Sequence, residues 1–321
     1  MQREINLTES ETTTLAFLSL TYSNRTIRSL NRLLCVNILE SPTALLIERI
    51  REFLPDEYNN ALRTCPKLFK SKIVILPILD KAYPEELRKI VDPPITLFLQ
   101  GNLGLLNNTL IGIVGTRKPS TFSRIWIGKI CAYLSQEKFV TVSGMATGID
   151  SAVHANSLKN GTIGVVAHGF NHAYPRKNKK YFDLSKEKSN LLLISEHPPE
   201  RTARKHYFIK RNRIIAALSN CLLFVEGGEK SGGLSTARYS LKFNKPTFFL
   251  DHALQSNNKG VLELMESGAI NVTSQFPVYW HKSSFHRNII EKINHGWIYL
   301  GNGNWFKVDV DNFLKESKLP V

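Results

Sequence analysis

The sequence predicts an α/β fold built on a doubly wound, mostly parallel sheet, with a small helical domain before it and a small α+β tail after it. Three observations carry this. From Ile73 onward, continuous apolar runs of strand length alternate with stretches of helical periodicity, the pattern of parallel strands covered on both faces. Several of those runs end in glycine-rich polar turns, notably Gly115-Thr116-Arg117-Lys118-Pro119, Ser143-Gly144-Met145-Ala146-Thr147-Gly148-Ile149-Asp150 and Glu226-Gly227-Gly228-Glu229-Lys230-Ser231-Gly232-Gly233. The composition changes at both ends, where helical spacing and then an aromatic hairpin pattern replace the alternation.

Taken in order, residues 1–70 read as helical. Residues 15–20 and 27–34 suit two short helices, and Ser41-Pro42 reads as an N-cap followed by proline at the first helical position. Leu46, Ile50, Phe53 and Leu54 then recur at helical spacing until Pro55 stops them. The central domain, residues 71–276, has strands expected at 73–76, 96–99, 110–114, 140–142, 162–167, 191–195, 222–225 and 247–250. Helices are expected at 121–136, 150–158, 179–186, 212–218 and 234–243. The tail, 277–321, reads as helix, hairpin, helix. Phe285, Ile289, Ile290 and Ile293 form a helical stripe, Gly301-Asn302-Gly303-Asn304 separates two aromatic runs, and 310–316 suits a last helix.

The chain has 321 residues, with Lys and Arg exceeding Asp and Glu by 42 − 27 = 15. That excess favours an acidic partner, nucleic acid above all. The cysteines, Cys35, Cys65, Cys131 and Cys221, form no CxxC pair, and Cys131 and Cys221 fall in apolar segments, as core thiols do. The N-terminus has no apolar signal core, and no apolar run is long enough to span a bilayer. A cytoplasmic protein without a membrane partner is the expectation.

In an open parallel sheet, ligands bind beyond the carboxyl ends of the strands, where the glycine-rich turns lie. Glycine there lets the backbone approach a phosphate closely, and Arg117 offers a forked donor. Ser143, Gly144 and Gly148 suit the same task, whereas Asp150 reads as a ribose ligand or as a helix N-cap, which accounts for it without any ligand. Lys230 and Gly232 sit in a turn fit to form an anion nest. The run Lys210-Arg211-Asn212-Arg213 puts three cations at the start of an apolar helical pattern. Cations there meet the positive end of the helix dipole, which makes sense opposite a polyanion. Phe208 beside them suits base stacking or the core. His168, His172, His197 and His206 match no metal-ligand spacing. His154, one turn beyond Asp150, reads as a structural partner of it.

With these residues in place, the chain resembles the DNA-processing protein A (DprA/Smf) family from about Ile73 to Phe276. The marks are Tyr83-Pro84, Asp92-Pro93-Pro94, the Gly115 and Ser143 turns, Gly169 with Tyr174-Pro175 and Asn178, Ser195-Glu196 with Pro198-Pro199, Phe208 with Arg211-Asn212-Arg213, and Glu226-Gly227-Gly228-Glu229. The resemblance implies an extended Rossmann-like domain that binds single-stranded DNA without base specificity, forms a homodimer and hands the strand to RecA in natural transformation. The expected contacts are Gly115, Thr116, Arg117, Lys118, Ser143, Gly144, Phe208, Lys210, Arg211, Asn212, Arg213, Lys230 and Gly232. No cofactor, metal or catalytic residue is expected. The chain departs from the family pattern in having Thr116 where serine is usual and Thr147 where arginine is usual. Its N-terminal segment also lacks the Gly-x-Gly of a helix-hairpin-helix DNA binder.

Two other function classes have some support in the sequence. The turn through Ser231-Gly232-Gly233-Leu234-Ser235-Thr236 is similar to that of nucleotide phosphoribohydrolases, which need a glutamate three residues after the threonine, where this chain has Tyr239. Glu196 and Glu226 are the other carboxylates such an enzyme would have to use. A nucleotide-binding sensor in the same crevice is the third class, with Trp297, Tyr299, Trp305 and Phe306 either contacting a partner or forming a local core.

Overall fold

The computed structural model describes residues 8–187, 189–251, 259–273, 278–282, 297–301 and 304–308. Four helices come first: α1 (Glu9–Tyr22), α2 (Ile27–Leu34), α3 (Thr43–Phe53) and α4 (Pro55–Phe69). Helix α1 opens with a complete capping box between Thr8 and Glu11, which satisfies two otherwise orphaned donors. Residues 14–20 are buried without a break, as expected of a helix enclosed on all sides. Proline at 55 ends α3 and also begins α4 at its first position. The sequence reading placed no separate helix there, and it set the α3 cap one residue early, since Pro42 itself is the N-cap.

The sheet then follows. Its strands are β1 (Val74–Pro77), β2 (Thr96–Gly101), β3 (Leu110–Val114), β4 (Val140–Gly144), β5 (Thr162–Val165), β6 (Leu191–Ser195), β7 (Cys221–Phe224), β8 (Thr247–Asp251) and β9 (Ile270–Thr273). Their order is β1-β2-β6-β5-β4-β3-β7-β8-β9. β1 and β2 are antiparallel to each other, and β2 is antiparallel to β6, while the other seven strands run parallel. The helices between strands are α5 (Glu85–Arg88), α6 (Thr121–Gln136), α7 (Ile149–Ser157), α8 (Lys179–Leu184), α9 (Lys205–Leu218), α10 (Gly232–Lys242) and α11 (Lys259–Glu266).

The chain builds outward from β3 through β4, β5 and β6, then crosses to the other side of β3 to lay down β7. That reversal leaves a crevice outside the carboxyl ends of β3 and β7, the place where such sheets hold ligands. Alternation along β7 shows how both faces are covered. Cys221 and Leu223 join Trp126, Ile127 and Val153 on one face, and Leu222 and Phe224 join Ile214, Ala217, Leu234 and Ala237 on the other. Each apolar strand residue thus has a helix to bury against.

The second of these cores runs on without interruption into Leu15, Phe17, Leu30, Leu46 and Leu68 of the N-terminal helices. The Thr96 hydroxyl of β2 donates to Phe17 O at 3.3 Å. The helices therefore lie directly on the antiparallel edge of the sheet. In the tail, β10 (Val278–Lys282), β11 (Trp297–Gly301) and β12 (Asn304–Val308) form a separate antiparallel sheet in the order β10-β12-β11. The β11–β12 hairpin lies where the sequence reading put it. Strand β10 was not foreseen, and the expected helices near 285–293 and 310–316 lie outside the described residues. Among the described residues, no helix is long and apolar enough to cross a membrane.

Candidate nucleic-acid interface

Glycines bring the strand ends of the crevice into contact. A Cβ on Gly115 would come within 2.7 Å of Ile149 Cγ1 and 2.8 Å of Glu226 O, and one on Gly233 within 2.9 Å of Gly115 Cα. None of these atoms is the loose end of a flexible side chain, so both positions need glycine. Thr116 N donates to Glu226 O at 2.6 Å, and Ile149 N donates to Thr116 O at 3.0 Å. Three βα turns are thereby knit into one floor, and the backbone N–H of Thr116 is engaged there.

Over that floor opens a cleft of about 780 Å³. Its lining includes six cations, Arg117, Lys118, Arg204, Lys205, Arg211 and Lys230, against one carboxylate, Asp150. An imbalance of that size around a concave site concentrates anions. Two helix N-termini add to it. Helix α9 starts after Arg204, which makes no capping bond, and α10 starts after Ser231, whose hydroxyl accepts from Leu234 N at 3.3 Å. Neither first turn holds an acidic residue, so both positive dipole ends are open to a phosphate.

Helix α9 supplies one long wall. Lys205, Phe208, Asn212 and Ile215 recur at helical spacing on the face toward the cleft. Asn212 Nδ2 donates to Gly232 O at 3.2 Å and so ties this wall to the start of α10. At the rim, Arg117 lies with its guanidinium carbon 5.9 Å from the Phe208 ring centroid. On the other side Tyr174, 48% exposed, has its ring 5.6 Å from that of Phe208 at a 56° tilt.

The deepest cation is Arg211, buried to 5% exposure. One of its terminal nitrogens, Nη1, donates to Val165 O at 2.9 Å, but its Nε is buried with no hydrogen-bond partner. Burial lowers its pKa to about 10 against the pull of Asp150. Asp150 is raised to about 6 by burial, with Arg211 opposing the shift, and accepts from Ala146 N at 3.3 Å. Asp150 is thus the opposite charge beside Arg211, though among the described residues the two are not joined in a salt bridge.

Several expected contacts are thus gathered in one place: Gly115, Thr116, Arg117, Lys118, Phe208, Arg211, Asn212, Lys230 and Gly232 all line the cleft. Four others do not, and each for a physical reason. Helix α9 begins at Lys205 rather than Asn212, so the cation run lies in its middle, and one helical turn sends neighbouring side chains in different directions. Lys210 points to Asp92 and Glu196 at 3.6 Å each. Arg213 is buried in a two-pronged pair with Glu196, at 2.9 and 2.8 Å, and donates from Nε to Asp92 O at 2.8 Å. Burial tends to raise Glu196, but Arg213 and Lys210 hold its carboxyl below the ordinary range. Ser143 is fully buried and donates to Ile113 O at 2.7 Å. Gly144 leaves space for the Arg211 guanidinium, into which a Cβ would run.

The remaining candidates also find structural places. His154 bonds Gly144 O at 2.8 Å and lies 2.9 Å from Thr162 Oγ1, not with Asp150, and burial lowers it to about 4. Asp150 is the second residue of α7, whose N-cap is Gly148. Glu226 accepts from both the N–H and the hydroxyl of Ser120, at 2.9 and 3.0 Å. Tyr239 follows Arg238, which pairs with Glu263 at 2.7 Å. Both carboxylates that an enzyme on this fold would use, Glu196 and Glu226, are held in internal contacts. The sequence reading missed Arg204, Lys205 and Tyr174 as cleft residues. The spacing of Lys205 to Phe208 and Asn212 carried the signal for Lys205, once the helix is started one turn earlier.

The chain is similar to known proteins in sequence and in fold. The family described as DNA recombination-mediator protein A matches residues 74–280. The DNA processing protein DprA of Bacillus subtilis is 39% identical over 208 residues, 64% of this chain and 69% of that one. The crystal structure of DNA processing protein A from Streptococcus pneumoniae superposes with a TM-score of 0.62 at 29% identity, over 81% of this chain and 89% of that one. That of Helicobacter pylori DNA processing protein A, described for its single-stranded DNA binding mode, gives 0.56 at 30% identity over 63% and 91%. A cleft at the switch point of a Rossmann-like sheet, the ordered motifs and a match across residues 74–280 together place this chain in the DNA recombination-mediator protein A (DprA/Smf) family.

Proposed function

We propose that this chain binds single-stranded DNA without base specificity in the switch-point cleft, shields it, and passes it to a RecA-type recombinase in natural transformation or recombination. The observation that carries the reading is Arg211, a buried cation with an unmet Nε at the bottom of a cleft lined by five further cations. The phosphates of a strand would be gripped by Arg117, Lys205 and Lys230 and by the N-termini of α9 and α10. Their charge would balance Arg211, and a base would lie against Phe208. Contacts of this kind follow the backbone and ignore base identity. The reading includes no chemical step, a cytoplasmic setting and a homodimer. It is supported by relatives named for DNA processing and by the related protein studied for its single-stranded DNA binding.

The test is titration of a fluorescent oligonucleotide, single-stranded against double-stranded, over a salt series, with wild type, Arg117→Ala and Lys205→Ala. The expected result is preference for the single strand, with each variant flattening the slope of log K against log salt by roughly 0.7. Equal binding of both DNA forms, or slopes untouched by either variant, would overturn it. Saturable binding of nucleoside monophosphates in place of DNA would support a nucleotide sensor, and base release from them would support a phosphoribohydrolase.

A further inference from the structure

The N-terminal helices take no part in the reading above, and the family match begins only at residue 74. We infer that the outer face of α2 is a second phosphate-binding surface, which takes up a single strand where it leaves the cleft. This rests on the single-strand reading of the cleft. Arg28 and Arg32 stand four residues apart in α2, hence on one face, and Arg25 lies just before the N-cap Thr26. All three are exposed, while Leu30 and Leu34 on the inner face are fully buried. The helix holds no acidic residue. Among the described residues none of the three arginines takes part in an ion pair. The positive end of the α2 dipole lies by Arg28. Thr26 and Ser29 add exposed hydroxyl-bearing residues to the same surface.

Position argues for the strand as the occupant. Helix α1 ends at Tyr22, just before Arg25, and the Tyr22 hydroxyl lies beside Glu200 while donating to Thr64 Oγ1 at 3.1 Å. Glu200 belongs to the segment, residues 196–204, that leads straight into Arg204 and Lys205 on the cleft wall. That segment is pinned from below, where Gly169 N donates to Arg201 O at 2.8 Å and Asn171 N to Pro199 O at 2.9 Å. The end of α1 therefore reaches, through the Tyr22 hydroxyl, the segment that leads to the cleft cations. Along the chain, residues 12–39 hold no acidic residue, and Glu200 lies by the Tyr22 hydroxyl. A polyanion longer than the cleft would pass from Lys205 and Arg204, by Arg201, to Arg25, Arg28 and Arg32.

The experiment uses the full chain carrying R25Q/R28Q/R32Q, with R25K/R28K/R32K as the charge-keeping control, and oligothymidylates of about 6 and about 30 nucleotides, the shorter to fill the cleft alone. Wild type should show a steeper salt slope on the long strand than on the short. The glutamine triple should lose roughly 2 units of that slope, and at least tenfold in affinity at low salt, on the long strand only. The lysine triple should retain both. An unchanged long-strand slope, or equal losses on short and long strands, would overturn the inference while leaving cleft binding intact. Failure of Arg117→Ala to weaken the short strand would instead strike the reading of the cleft, and is scored separately.

Discussion

The guanidinium of Arg211 occupies the space that a side chain on Gly144 would fill. A methyl group there would meet the guanidinium on one side and Asp150 Oδ2, at 2.6 Å, on the other. The glycine therefore acts in this site through its absent side chain. Gly144→Ala should push Arg211 off the cleft floor, weaken single-strand binding, and cost about 1–3 kcal/mol of stability by overpacking. Thermal melting and oligonucleotide titration of the variant check both parts. Wild-type affinity in Gly144→Ala would mean that Arg211 does not reach the strand from this position.

A pH dependence follows from Asp150, whose folded pKa of about 6 lies above its ordinary 3.8. A raised carboxyl favours folding in its protonated form, so its contribution is complete below the unfolded value. It is lost as pH rises through about 6. Across that window the loss is on the order of 2–3 kcal/mol. Binding should follow the same sign, because protonation removes the one negative charge beside Arg211. Affinity for single strands should rise as pH falls from 8 to 5, and Asp150→Asn should flatten that rise and bind more tightly at pH 8, by roughly tenfold. His154, lowered to about 4, stays neutral over the range. A profile of the same shape in Asp150→Asn would assign the dependence to another group.

Tyr174 and Phe208 stand ring to ring at the mouth of the cleft, and both are accessible enough for a base to lie against them. Each base stacked on an aromatic ring is worth about 1–3 kcal/mol, with little regard for its identity. Tyr174→Ala should thus weaken an ordinary oligonucleotide by roughly 5- to 150-fold while leaving an abasic one of the same length unchanged. Equal weakening of both would show that Tyr174 only supports the rim.

How much of this was legible in the sequence is clearest in α9. The run Lys210-Arg211-Asn212-Arg213 lies on a helix that walls the cleft, and the glycine turns at 115 and 232 lie at strand ends on its floor, because a parallel sheet fixes where such turns converge. Which cation faces the cleft was not legible. That depends on the helix phase, and the phase depends on a start at Lys205 that no capping side chain announces. Glu196, the partner that claims Arg213, comes from the end of β6, and only the tertiary fold brings it there. Tyr174 was equally hidden, since its contact with Phe208 spans 34 residues of chain.

The same contrast gives the last prediction. Arg117 is exposed at the rim, with a ring contact to Phe208 and no described ion pair, whereas Arg213 is buried on Glu196 and Asp92. Truncating Arg213 would leave the Glu196 carboxylate, buried to 8% exposure, with only the longer Lys210 contact, and loss of one partner of a buried pair costs about 3–5 kcal/mol. Arg213→Ala should therefore melt well below wild type, and at a temperature where it is still folded its salt slope on single-stranded DNA should match wild type. Arg117→Ala should do the reverse, keeping the melting temperature and losing slope. Paired melting and salt titrations separate the two. A flattened slope in folded Arg213→Ala would return that residue to the interface, and an unchanged slope in Arg117→Ala would remove the rim from it.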